Sequence, residues 1–158
     1  MPEFTGKLTL AFADESYDVD ARELLGVNRD DLDLELSKQA ATFAWYAVLE
    51  ERARAWRKGC ESEFDRAVAE ADRRERAKEK ATETAIKHRI VLDEKVRAAE
   101  EEVRNAVYAE RTLGALASAL GQRKDMLIAL ARARQTELSA LSAAEVERIK
   151  ERILGRKT

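Results

Sequence analysis

The chain has 158 residues, of which 38% are charged, with one cysteine and a formal net charge of −2; that length allows one domain. The lone Cys60 excludes an intramolecular disulfide and suits a reducing, cytoplasmic setting. No apolar run nears the roughly 20 residues that cross a bilayer, and no signal-peptide pattern opens the chain, so no membrane partner is expected.

Ala, Glu, Lys, Leu and Arg dominate, and the single proline is Pro2. That mixture belongs to long helices and coiled coils. The expected fold is all-α: a long antiparallel helical hairpin, coiled-coil-like, with short flanking helices and assembling into an oligomer.

Residues 1–27 read as an acidic N-terminal arm with a short helix. Positions 1–19 mix β-branched, aromatic and acidic residues loosely, which suggests weak order. Asp20-Ala-Arg-Glu23 is a capping box opening a helix that stops at Gly26. Asn28 caps the next element, with Asp30 and Asp31 placed to complement the helix dipole.

Residues 28–138 read as the helical hairpin. From Asn28 to about Lys80 only Gly59 interrupts helix-forming sequence, at a cost of about 1 kcal/mol relative to Ala. Leu32, Leu36, Ala40, Phe43 and Ala47, then Cys60, Phe64, Ala67 and Ala71, recur at helical spacing. Residues 81–93 form a joint, and Asp93 is placed to N-cap a second long helix reaching about Leu138. Its seam is Val96, Ala99, Val103, Ala106, Leu113, Ala117, Leu120 and Leu127, with Glu110 and Lys124 as departures. Two helices of similar length and one short joint fold back on each other. Residues 139–158 read as a separate C-terminal capping helix, opened by the capping box Ser142-Ala-Ala-Glu145. Gly114, Ser118 and Gly121 share a face and suggest close helix packing.

Seven consecutive apolar residues, Phe43-Ala44-Trp45-Tyr46-Ala47-Val48-Leu49, circle the first helix completely at about 100° per residue. One partner helix covers one stripe, so burial between subunits is expected. The oligomer interface is assigned to Phe43, Trp45, Tyr46, Leu49 and Trp56. Trp45 and Trp56, eleven positions apart, fall on nearly one face.

Catalytic chemistry finds little support. There is no GxxxxGK[ST] phosphate loop, His88 has no metal-ligating neighbours, and Cys60 has no nucleophile signature. The reading is a non-enzyme with no cofactor and no metal. Cations instead gather near the joint: Arg73, Arg74, Arg76, Lys78, Lys80, Lys87 and Arg89. Clusters of this kind grip the phosphates of single-stranded nucleic acid without reading sequence. Arg123, Lys124, Arg132 and Arg134 form a second basic patch. The bland alternative for both is a solvated charged face.

Asp30, Leu34, Ala41, Tyr46 and Leu49, followed by an Arg/Lys/Glu-rich helix, and later Leu120-Gly-Gln-Arg-Lys-Asp-Met-Leu-Ile128, resemble the UvsY-type recombination mediator proteins of tailed bacteriophages. The resemblance covers residues 28–138. It implies a small helical protein that assembles into a ring, as the family does, and binds single-stranded DNA. It also implies help to a RecA-like recombinase in replacing single-strand-binding protein, in the cytoplasm of a bacterial host. The family's DNA contacts lie late in the first long helix, where Arg73, Arg74, Arg76 and Lys78 stand here. The competing reading is a coiled-coil structural, assembly or chaperone protein without affinity for DNA.

Overall fold

The structure is a computed structural model that describes residues 6–78 and 82–154. It contains the strands β1 (Lys7–Phe12) and β2 (Glu15–Asp20) and the helices α1 (Ala21–Leu25), α2 (Leu32–Arg76), α3 (Glu83–Leu92) and α4 (Glu94–Leu154), with a 3-10 turn over Arg29–Asp31. Most of the chain is helical, and the all-α hairpin expected from sequence is present: α2 and α4 pack along each other and supply most tertiary contacts.

The helix boundaries follow local chemistry. Asp20 accepts from the amides of Arg22 and Glu23, capping α1 as the sequence predicts. Asn28 accepts from Asp30 and so caps the 3-10 turn rather than the long helix. The long helix is capped by Asp31, which accepts from Leu34. At the joint, Thr82 caps α3 and Asp93 caps α4 through the amides of Lys95 and Val96. The predicted seam is buried at Val96, Ala106, Leu113, Ala117, Leu120 and Leu127. Glu110, a departure from that pattern, faces α2 and takes ion pairs from Arg54 at 3.2 Å and Arg57 at 2.5 Å.

The first correction concerns the N-terminal arm. Residues 7–20 form a β-hairpin, closed by Ala13 and Asp14 at φ 50° and 63°. Positive φ at both turn residues gives the twist that matches paired strands. Alternation puts Leu8, Leu10 and Phe12 of β1 with Tyr17 and Val19 of β2 on one face. That face joins Leu49 and Ala53 of α2 with Ala109, Leu113 and Leu116 of α4 in a single core. Each buried Leu, Val or Phe contributes about 1.5–3 kcal/mol by leaving water. Phe12 stacks on Tyr17 at 5.1 Å, and Glu15 pairs with Arg52 of α2 at 2.8 Å. Gly6 leads into the hairpin at φ 81°, where a Cβ would press within 2.7 Å of the Arg22 side chain.

The second correction is at the C-terminal end. α4 runs unbroken through Ser142, so the capping box there is unused and there is no separate helix within 139–154. Ser142 and Glu145 are exposed on a continuous helix. Their backbone amides are already taken by the helical ladder, and a cap stabilises only amides that lack such partners. The first long helix ends at Arg76 rather than about Lys80, and Lys80 lies outside the described residues. Close packing at the small-residue stripe holds only for Gly114, where a Cβ would stand 3.4 Å from Glu50; Gly121 faces open space and Ser118 is exposed.

Candidate nucleic-acid and assembly surfaces

The basic cluster assigned from sequence is brought together at the tip of the hairpin, where α2 ends, α3 crosses and α4 begins. Arg73, Arg74, Arg76, Lys78, Lys87 and Arg89 are all exposed there. They do not form a bare cationic surface. Arg74 pairs with Asp93, the N-cap of α4. Arg76 holds Asp72 at 2.8 Å and Glu83 at 2.9 Å, tying the end of α2 to the start of α3. Glu75 receives Lys78 and, at 3.3 Å, Arg89. Arg73 and Lys87 enter no ion pair among the described residues.

The electrostatics follow from these contacts. Hydrogen bonds from Lys78 hold the Glu75 carboxyl below its ordinary range, against the opposing effect of burial and with help from Arg89. Arg76 does the same to Glu83, and Glu83 with Asp72 pushes the Arg76 guanidinium further from deprotonation. The tip is a carboxylate-braced set of cations whose side chains stay about half exposed.

The second basic patch divides. Arg123 sinks between α1, the start of α2 and α4, donating to the Gly26 carbonyl at 3.1 and 2.9 Å and pairing with Glu35. Its position is structural, because its donors are consumed inside the fold. Lys124 stays exposed beside Asp125. Arg134 lies along a cleft with Arg29, Asp30, Leu32 and Leu130.

The five residues assigned to an oligomer interface also divide. Leu49 is 1% exposed in the single chain, and Tyr46 and Trp56 pack against the same core. The β-hairpin covers them, with Phe12 lying 6.1 Å from Trp56; this removes Leu49 from any intersubunit role. Trp45 is 56% exposed, along with Phe43 and Val48. Ala47, Val48 and Ala55 line a shallow apolar cleft on the same helix.

Sequence reasoning missed a further apolar stripe and a row of arginines. Leu138, Leu141, Val146 and Ile149 are exposed along the part of α4 that outruns α2; their 3-, 5- and 3-residue steps keep them on one broad face. Arg97, Arg104 and Arg111 are exposed on α4 at heptad spacing, a signal obscured by the surrounding glutamates. Cys60 sits in a cleft with Trp56, Gly59, Glu63, Ala99 and Glu102, and burial with the Glu102 charge raises its thiol pKa. That disfavours the thiolate. Among the described residues no helix is long and apolar enough to cross a membrane.

Compared with known protein families, curated proteins and solved structures, the chain matches none.

Proposed function

We propose that the protein is a recombination mediator: a homo-oligomer that binds single-stranded DNA and helps load a RecA-like recombinase onto DNA covered by single-strand-binding protein. The observation that carries this reading is the hairpin tip, where six cations, five on α2 and α3 and Lys78 just past the end of α2, are exposed together. The carboxylates on Arg76 do not exclude phosphate, since exposed ion pairs contribute only about 0–1 kcal/mol each, and Arg73 and Lys87 enter no ion pair among the described residues, whereas the buried Glu75 retains Lys78 and Arg89. A phosphate bridging two guanidiniums replaces such pairs readily, and repetition of the tip around an oligomer extends the track.

Assembly is supported by two unpartnered apolar stripes on one chain. Trp45 and Val48, neighbours at i,i+3, lie on one face of α2 with Phe43 exposed on the opposite side, and Leu138, Leu141, Val146 and Ile149 lie on the α4 extension. Gln39 meets Leu120 across the hairpin, so the extension begins about 25 Å beyond that level at 1.5 Å per residue. A continuous helix cannot fold back over its own α2. Contact between the two stripes would therefore join different copies, in the head-to-tail manner that produces rings or filaments.

The test is a fluorescence-anisotropy titration of a labelled oligonucleotide at several salt concentrations, followed by filament assembly with the cognate recombinase. Binding that weakens with salt, together with faster filament formation on protein-coated DNA, supports the proposal. A protein that assembles but ignores the oligonucleotide at low salt is instead a coiled-coil assembly or chaperone protein. The carboxylate compensation at the tip is the observation favouring that second reading.

A further inference from the structure

We infer that the outer face of α4 carries a second contact for single-stranded DNA, built from Tyr108 between Arg104 and Arg111, with Arg97 one heptad further along. The inference rests on the DNA-binding reading above and extends it to a site remote from the tip. Tyr108 is 60% exposed, although Phe12, Tyr17 and Trp56 nearby are engaged with one another in or against the core. Arg104 precedes it by four residues and Arg111 follows it by three, the two spacings that bring side chains together on a helix. Arg97, Arg104 and Arg111 rise along α4 in steps of about 10 Å, drifting only about 20° per step. All three are exposed. Arg104 makes a single loose pair with Glu100 at 3.7 Å, and Arg97 and Arg111 make none among the described residues. Cations here are thus held less tightly than those of the tip.

The flanks of Tyr108 differ in charge, which orients the ligand. On one side stand the arginines, three cations that outnumber the Glu100 and Glu101 carboxylates exposed among them. On the other is a groove of about 610 Å³ between α4 and the β-hairpin, bordered by Asn105, Glu102, Trp56, Thr9 and Asp14. Carboxylates in the groove repel phosphate, while its aromatic and amide walls accept a neutral base. A strand lying along α4 therefore keeps its phosphates on the arginine row and turns a base over the Tyr108 ring. Aromatic stacking tolerates any base, which matches binding without sequence preference.

The test uses the full chain and labelled oligo-dT, measuring anisotropy between low and moderate salt. Tyr108→Ala should weaken binding about tenfold while Tyr108→Phe retains it, because stacking needs the ring and not the hydroxyl. Arg104→Ala with Arg111→Ala should flatten the slope of log affinity against log salt by about 1.4, at about 0.7 per single-strand phosphate contact. Circular dichroism and particle mass should stay at wild-type values for all of these exposed positions. If the wild type binds and Tyr108→Ala binds equally well, the α4 site is wrong and the tip reading stands. If the wild type does not bind, the DNA reading itself fails.

Discussion

Arg123 and Glu35, 88 residues apart in sequence, form an ion pair in which the two side chains are only 10% and 19% exposed. The same guanidinium donates to the carbonyl of Gly26 and to the side chain of Gln39, whose amide in turn donates to the carbonyl of Leu120 at 2.7 Å. One side chain of α4 thus ties down the end of α1 and the first turns of α2. Arg123→Ala leaves Glu35 and the Gly26 carbonyl without their partner, and it should destabilise the fold by about 3–5 kcal/mol in urea unfolding. Lys124→Ala, next door but exposed, should fall within about 0.5 kcal/mol of wild type.

The β-hairpin should behave as part of the core. Phe12 is 2% exposed and packs on Tyr17 and near Trp56. Phe12→Ala should cost about 3–5 kcal/mol, as a deletion in any core does. A cost below about 1 kcal/mol would show that the hairpin is only loosely attached, as the arm reading of the sequence supposed.

Assembly should depend on exposed positions rather than on core ones. Trp45→Glu places a charge on the exposed stripe of α2 without touching the intramolecular core, so it should lower particle mass while preserving helicity. Removal of residues 138–158 should do the same by deleting the other stripe. Light scattering reads both, and unchanged mass in the two variants would place the contact elsewhere.

The tip should loosen in acid. Glu75 and Glu83 both titrate below the ordinary Glu value of 4.5, so the unfolded chain binds their protons more readily than the folded one. Their stabilising contribution is fully present above that value and is lost as pH falls through the depressed folded-state values. Amide resonances of residues 72–78 and 82–93 should therefore broaden or shift in acid before those of the Leu113–Leu120 region. Glu75→Gln and Glu83→Gln together should remove that difference.

Much of the architecture was legible in local chemistry. Side-chain oxygens at Asp20, Asn28 and Asp93 mark where elements begin, because orphan amides need an acceptor and these residues supply one within three positions, whereas the cap of α2 falls on Asp31, which the sequence placed inside the first turn. The seam from Val96 to Leu127 follows from helical periodicity alone. The hairpin was hidden because its turn, Ala13-Asp14, lacks the Asn-Gly or Asp-Gly signature, although Leu8, Leu10 and Phe12 alternate as a half-buried strand does. The unbroken α4 was hidden for the opposite reason, since Ser142-Ala-Ala-Glu145 is equally compatible with a helix interior.

The candidate sites depended on tertiary structure to a greater degree. Sequence placed cations near the joint and the local pairs Arg76–Asp72 and Lys78–Glu75 follow from spacing, but only the packing of α3 showed that Arg74 meets Asp93, Arg76 meets Glu83 and Arg89 meets Glu75. Trp45 and Trp56 read alike along the helix and differ in the fold, where Trp56 packs against the core beside Phe12 of the hairpin and Trp45 stays exposed. Spacing along a chain determines which side chains share a helix face. Which of those faces meets water, a carboxylate or another helix is decided by segments far away in sequence, and so only by the folded chain.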